Sequence, residues 1–362
     1  MKSLVAYDWP EGRCKQVAYI SPDHHVREFY IGLGGRWEQA DLTFLTNAPL
    51  AESRFLAAYA WSEGPTKQVA YVGQDKHIQE LWVPVDGQWQ RADLQELAGA
   101  PPVWQITAGY SWSAGHSKQV VYIGDDGHIH ELWVEKGAWW QHIDLTAVTN
   151  APLPGSHYMV GYGWDEGRCK QVAYVGQDGQ IHELFMPQGQ SWQHVNLSAL
   201  TQAPRAVDLM VGFEWPEGRC KQIAFVSEDR HVHELSLVAG ESWRHTDLSA
   251  TTSAPPATDV LTGYVWPQGR SKQIAYVGLD RHVHELSVTI GGDWHYEDLT
   301  AKANAPVTAI TAMDGCAWST GETKQVIYVG NDGQVRELLL PYGGQWMYTD
   351  LSSMISALPA RF

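Results

Sequence analysis

Four residue types follow one another at fixed spacing seven times along the chain. Seven Lys-Gln pairs contain Gln16, Gln68, Gln119, Gln171, Gln222, Gln273 and Gln325. Seven residues before each glutamine stands a tryptophan: Trp9, Trp61, Trp112, Trp164, Trp215, Trp266 or Trp318. Twelve residues after it stands a glutamate: Glu28, Glu80, Glu131, Glu183, Glu234, Glu285 or Glu337. Nine residues later comes a second tryptophan: Trp37, Trp89, Trp140, Trp192, Trp243, Trp294 or Trp346. A carboxylate beside an amide offers acceptors and donors at a fixed spacing. A nearby indole adds a flat apolar face and one N–H donor. That set suits a sugar ring, with its apolar C–H face and its rim of hydroxyls. The glutamine, the glutamate and the second tryptophan of each copy are therefore the candidate ligand contacts. Each also has a structural reading. The first tryptophan of each copy is expected to fill space between repeats. The glutamate can pair with the lysine of its own repeat, Glu131 with Lys118 for example, and hold two strands in register.

The steps between successive Lys-Gln pairs are 52, 51, 52, 51, 51 and 52 residues. A fixed period of this size, with no helical signal inside it, marks a repeat fold. In the third copy, Ala108–Trp112 carries aromatics at alternate positions and reads as a strand. A loop follows with a glycine present in all seven copies (Gly12, Gly64, Gly115, Gly167, Gly218, Gly269, Gly321), which points to a positive φ or a close backbone approach. Lys118–Ile123 is rich in β-branched and aromatic residues and reads as the second strand. Asp125-Asp126-Gly127 is a hairpin turn. His128–Val134 is the return strand, Trp140–Leu145 the fourth, and Asn150-Ala151-Pro152 closes the unit. Four short antiparallel strands repeated seven times predict an all-β, seven-bladed β-propeller that forms a single domain over 1–362. The repeats run approximately 1–51, 52–102, 103–154, 155–205, 206–256, 257–308 and 309–362. The first and last resemble the others, which favours a closed ring over a capped solenoid. No blade is split, so closure is expected to rest on packing of blade seven against blade one.

Composition narrows the function classes. The 362 residues hold 41 Asp and Glu against 25 Lys and Arg, a formal net charge of −16. Nothing of that sign neutralises a run of phosphates, so nucleic acid is excluded as a partner. An anionic membrane surface is disfavoured, and no apolar run approaches spanning length. Without a signal peptide the chain is expected to be made in the cytoplasm, a non-classical route of release remaining open. Its four cysteines read as buried or half-buried free thiols. The His-x-His pairs His128/His130, His231/His233 and His282/His284 put two rings on one strand face, as in some metal sites. Gln180 and Gln334 replace the first histidine elsewhere, and Arg27, Gln79 and Arg336 the second. A metal shared by all blades would not survive that, so the imidazoles are read as surface groups. No cofactor is expected, and no nucleophile elbow, phosphate-binding glycine loop or His-Glu-x-x-His motif is present.

The spacing Trp-x6-Gln-x11-Glu, followed by the fourth-strand tryptophan, resembles the Aleuria-type fucose-binding lectins over the whole chain. That resemblance implies ligand pockets between adjacent blades. In the family one blade supplies an Arg and a Glu that grip sugar hydroxyls, and the neighbouring blade supplies aromatics. The Glu falls on Glu28 and its equivalents, and the stacking aromatic on Trp37 and its equivalents. The Arg position is Gln in every copy, and Gln does not replace a guanidinium. A further family aromatic, three residues after the Glu, is aliphatic or Met here. Trp82 and Trp133 lie one residue earlier, on the Glu side of the strand. Most family members close with six blades, whereas seven are expected here. A multivalent glycan-binding lectin with up to seven sites is thus the leading expectation, for fucose or a related sugar. The alternatives are an enzyme using the central channel and a protein-binding scaffold. For the enzyme, Trp104, Trp139, His157 and Met313 break the repeat pattern but form no catalytic grouping.

Overall fold

The computed structural model describes residues 3–307, 309–355 and 357–360, and every side chain among them except that of Asp208. Seven four-stranded antiparallel sheets follow one another, each with its strands in sequence order. In blade three the strands are Val103–Trp112, Ser117–Gly124, Ile129–Glu135 and Gln141–Asp144. The first strands of neighbouring blades pack against each other around the ring, including the first strand of blade one against that of blade seven. The fold is therefore the expected seven-bladed propeller. The hydrophobic cores lie between blades. Leu4 and Phe29 of blade one pack with Ile327 and Leu351 of blade seven, and Val121 and Leu145 of blade three pack with Met159 and Leu184 of blade four. No blade has a closed core of its own, which is why a unit of this length needs its neighbours.

Two features differ from the sequence expectation. The fourth strand ends earlier than predicted, at Asp144, and Leu145–Thr149 forms a short helix. Asp144 caps it by accepting the Ala147 N–H, and Asn150 ends it in a left-handed conformation at φ 49°. Every blade repeats the side-chain cap, with Asn196 in that role in blade four, and the helices of blades one to five end on a left-handed residue. A helix of about five residues has no amphipathic period to read; only its Asp-Leu-Thr start signals it. The second helical residue holds the helix to the sheet, as when Thr146 Oγ1 accepts the Ile129 N–H at 2.9 Å. The closing Pro has a matching role. The Pro152 carbonyl accepts the hydroxyl of Tyr174 in the next blade at 2.7 Å, and Pro49 accepts Tyr71 at 2.6 Å.

The repeated loop glycine does not take a positive φ. That conformation falls on the following residue, Arg13, His116, Arg168 or Arg219 for example. The glycine is required by close approach, because a Cβ on Gly167 would sit inside the ring of Trp164. Ring closure uses particular contacts as well. Asp314 Oδ2 accepts the Ala6 N–H at 3.0 Å and its Oδ1 accepts Thr262 Oγ1 at 2.7 Å, which joins blades six, seven and one. The Leu358 carbonyl accepts the Tyr19 hydroxyl at 3.1 Å.

The glycine argument gives a stability test. Gly167→Ala should destabilise the protein by about 1–3 kcal/mol through overpacking. Gly32→Ala, where a Cβ meets nothing within 4 Å, should stay within about 0.5 kcal/mol. Parallel denaturant titrations check both; equal effects would refute the packing account.

Candidate functional site

A strand's side chains alternate between its two faces, and this decides where the recurring residues go. Lys118 and Gln119 are adjacent, so they point to opposite sides of the blade. In the second-to-third strand ladder Val121 lies opposite Glu131 and Lys118 opposite Val134. Gln119, Val121 and Glu131 thus share one face, and Lys118 faces the blade before. The expected pairing of Glu131 with Lys118 is not formed. Glu131 Oε2 instead accepts Lys170 Nζ of blade four at 2.5 Å, and Lys118 reaches back to Glu80 of blade two at 2.6 Å. All seven junctions repeat this cross-blade pair. Lys67 meets Glu28, Lys221 meets Glu183, Lys272 meets Glu234 and Lys324 meets Glu285. Lys15 closes the ring on Glu337 at 2.6 Å.

Each pair is buried and enclosed by aromatic rings. Lys170 Nζ lies 5.9 Å from the Trp112 ring, 5.5 Å from Trp133 and 5.1 Å from Trp192. The first-strand tryptophan of one blade and the fourth-strand tryptophan of the next flank the ammonium at every junction. A cation over indole faces is stabilised by the ring quadrupole, by about 2 kcal/mol when desolvated. The other glutamate oxygen takes a tyrosine hydroxyl, as from Tyr110 to Glu131 Oε1 at 3.1 Å and from Tyr7 to Glu28 Oε1 at 2.6 Å. Burial, then the charge of the glutamate, pushes these tyrosines well above their usual pKa. Burial also pushes the Lys118 ammonium down, with Glu80 opposing it. Blades five and seven carry Phe213 and Cys316 in place of that tyrosine. Cys316 is a buried thiol, raised by burial to about 12, that accepts Gln325 Nε2 at 2.8 Å.

The candidate residues therefore come together at blade junctions, in different degrees of contact with solvent. All seven glutamates and all seven glutamines are buried. Gln119 Nε2 donates to Ser117 Oγ at 2.6 Å, and Gln273 to Ser271 at 2.6 Å. The Oε1 atoms of Gln16, Gln68, Gln119, Gln171 and Gln273 have no protein partner, nor do the indole N–H groups of the seven first-strand tryptophans. Trp37, Trp192 and Trp346 are buried, whereas Trp89, Trp140, Trp243 and Trp294 are half-buried.

Sequence reasoning used two parts of the junction wall incompletely. One is the third-strand residue two after each glutamate, on its face: Tyr30, Trp82, Trp133, Phe185, Ser236, Ser287 and Leu339 in blades one to seven. Tyr30 and Phe185 join Trp133 in facing the lysine, each ring 5.8 Å from Nζ. The other is the fourth helical residue, Leu45, Leu97, Val148, Leu200, Thr251, Lys302 or Met354, of which Val148 and Lys302 line junction clefts. Between blades three and four these parts frame a cleft of about 1120 Å³ walled by Trp112, Trp133 and Trp192, with Val148 at its edge and Gln188, Gln190 and Lys136 at its mouth. The cleft between blades six and seven measures about 440 Å³ and has Lys302 and Glu297 in its wall.

The sequence reading of the His-x-His imidazoles as surface groups holds only for the partly exposed first member of each pair. The second of each pair is buried: His130, His233 and His284. The first is partnered with the acid that caps the helix, His128 Nδ1 with Asp144 and His282 Nδ1 with Asp298, both at 2.7 Å. Blade four exchanges both partners at once, and Asn196 donates to Gln180 at 2.6 Å. The central channel offers a space of about 170 Å³ lined largely by small or aliphatic residues such as Val5, Ala57, Ala108, Val160 and Val211. Trp104 packs edge-on to His157 at 4.4 Å, while Met313 is buried in the blade six–seven core.

A double-mutant cycle measures the junction. Lys170→Met leaves Glu131 buried and uncompensated and should cost about 3–5 kcal/mol. Adding Glu131→Gln should recover a large part of that loss, read as a coupling energy in denaturant titrations. Additive single effects would contradict the cross-blade pair.

No protein-family profile matches the chain, and no curated protein matches it. Solved structures do. A lectin from Burkholderia pseudomallei superposes with a TM-score of 0.74 at 15% identity, over 96% of this chain and 97% of that one. AofleA from Arthrobotrys oligospora gives 0.56 at 15% identity, over 82% and 85%. The fucose-specific lectin from Aleuria aurantia gives 0.56 at 16% identity, over 82% and 93%. Likeness at these identities establishes a shared propeller architecture.

Proposed function

We propose that this chain is a non-enzymatic, multivalent carbohydrate-binding protein whose ligands sit in the clefts between blades. The observation that carries this reading is the cleft between blades three and four. Three indole walls meet there, with amide and charged groups at the mouth. Indole faces stack on sugar C–H groups while peripheral polar groups satisfy hydroxyls. The solved structures of like fold support the reading, since two of the three are described as lectins and one of those as fucose-specific. Fucose or a related sugar is the ligand class to test first.

The residues sort into two roles. Glutamate and lysine hold the indoles at a fixed distance across the junction, and the glutamine packs behind them. The exposed parts of the third- and fourth-strand aromatics carry ligand contact. On this reading the seven junctions are not equal. Those led by Tyr30, Trp82, Trp133 and Phe185 pair an aromatic with an aliphatic helix residue, Leu45, Leu97, Val148 or Leu200. Those led by Ser236 and Ser287 have Thr251 and Lys302 instead, and the closing junction has Leu339 and Met354. Four aromatic-walled clefts form the competent set, and several weak sites on one particle raise avidity on a dense glycan surface by about 10²–10⁴.

A glycan array tests the reading directly. The native protein should bind a defined sugar class. A Tyr30→Ser, Trp82→Ser, Trp133→Ser, Phe185→Ser variant, which gives those junctions the residue of blades five and six, should fold and lose that binding. Absence of binding to any glycan by the native protein would overturn the proposal. Undiminished binding by the variant would overturn the assignment of the sites.

A further inference from the structure

Blade five differs from the others at the hairpin between its second and third strands. In blades three, four and six the buried histidine bonds the hairpin aspartate through Nε2: His130 to Asp126 at 3.1 Å, His182 to Asp178 at 3.1 Å and His284 to Asp280 at 3.0 Å. In blade five His233 Nε2 is buried and has no hydrogen-bond partner, with Asp229 Oδ1 at 3.6 Å. The cause is Ser227. The equivalent residue is glycine in those three blades, and a Cβ there would crowd the contact: at Gly278 it would lie 2.6 Å from His284 Nε2. Ser227 both occupies that space and donates its hydroxyl to Asp229 Oδ1.

The separated His233 faces other donors. Asp229, His231, His233 and Asp247 each offer one ligand atom, and the four atoms lie within 4.8 Å of one another. We propose that these four residues form a binding site for one divalent transition-metal ion of the zinc class, present in blade five alone. Two imidazoles and two carboxylates suit zinc, cobalt or nickel rather than calcium or magnesium, which take oxygen ligands. Tetrahedral bonds of about 2.0–2.2 Å place ligand atoms about 3.3–3.6 Å apart, so the widest separation here must close by about 1.2–1.5 Å, which rotation of the half-exposed Asp229 and His231 side chains can supply. The outer contacts are in place. His233 Nδ1 is held by His245 Nε2 at 3.0 Å, which leaves Nε2 as the free donor, and the His233 ring stacks on Phe225. Asp229 is half exposed and His231 about one-third exposed, so an ion can enter from solvent. His231 Nδ1, now 2.8 Å from Asp247 Oδ2, gives up that contact to the ion. In blade three, Asp126, His130 and Asp144 also cluster, but His130 is already satisfied by Asp126.

The test uses untagged, chelator-stripped full-length protein, titrated with Zn²⁺ by calorimetry and with Co²⁺ by d–d absorption. One ion per chain is expected, with a cobalt spectrum that shows imidazole ligation and disappears in His233→Ala. Ser227→Gly, which gives blade five the residue of blades three, four and six, should let Asp229 close on His233 and weaken binding about 10–100-fold. That variant keeps the test decisive if His233→Ala does not fold. No bound ion, binding unaltered by both variants, or binding lost only in Asp126→Asn would each overturn the proposal.

Discussion

The lysine–glutamate pair across each blade junction is the interaction on which the rest of this structure depends. A buried ion pair is weak evidence of stability by itself, because desolvation offsets much of the attraction. Here the cost is reduced by the surroundings. The ammonium lies between indole faces, and five of the seven carboxylates take a tyrosine hydroxyl on the second oxygen. What the pair adds is register. A propeller closes by packing alone, and smooth apolar faces slide. Seven point contacts between a charge on one blade and its opposite on the next allow one alignment of neighbouring sheets, and Lys15 with Glu337 imposes it at the seam.

The same pair sets the geometry of the clefts. It pins the third strand of one blade against the second strand of the next, which fixes the distance between the aromatic walls on either side. The resemblance to Aleuria-type lectins implied an arginine at the glutamine position, gripping sugar hydroxyls together with the glutamate. In this chain the cation arrives from the neighbouring blade as lysine. That lysine stands one residue before the glutamine of its own blade, and the strand pleat turns it through the junction. Opposite charges thus meet within each junction, and the glutamine beside them is buried.

The propeller was legible because the repeat is strong: period, alternation and the hairpin Asp-Gly all agree. The short helices were not, because five residues carry no periodicity, and the Asp-Leu-Thr cap signal looked like a strand end. The clustering of the recurring residue types between blades was legible in the sequence. Their pairing was misread by one step. Glu131 and Lys118 are near in sequence and belong to the same hairpin, so local pairing was the simpler expectation. Counting the pleat would have ruled it out, since Gln119 and Glu131 share a face and Lys118 lies on the other. The partners in the next blade are about 39 residues away, and only a closed ring makes that separation short.

Repetition also shows where the chain departs from its own rule. Some substitutions between copies keep a contact at the equivalent place. Gln180 and Asn196 in blade four stand for the His–Asp pair of the other blades. Arg27 in blade one takes Asp23 as its partner where histidine would. Ser227 is different, since serine enters beside an unchanged His233 and Asp229 and the contact opens. Blade one has serine at the same place, Ser21, but there Arg27 spans the gap to Asp23. A substitution that breaks a contact in one copy, with nothing in that copy to restore it, is a stronger indicator of a local role than a residue shared by all seven. Shared residues build the ring, and the uncompensated exception marks where the ring has been adapted.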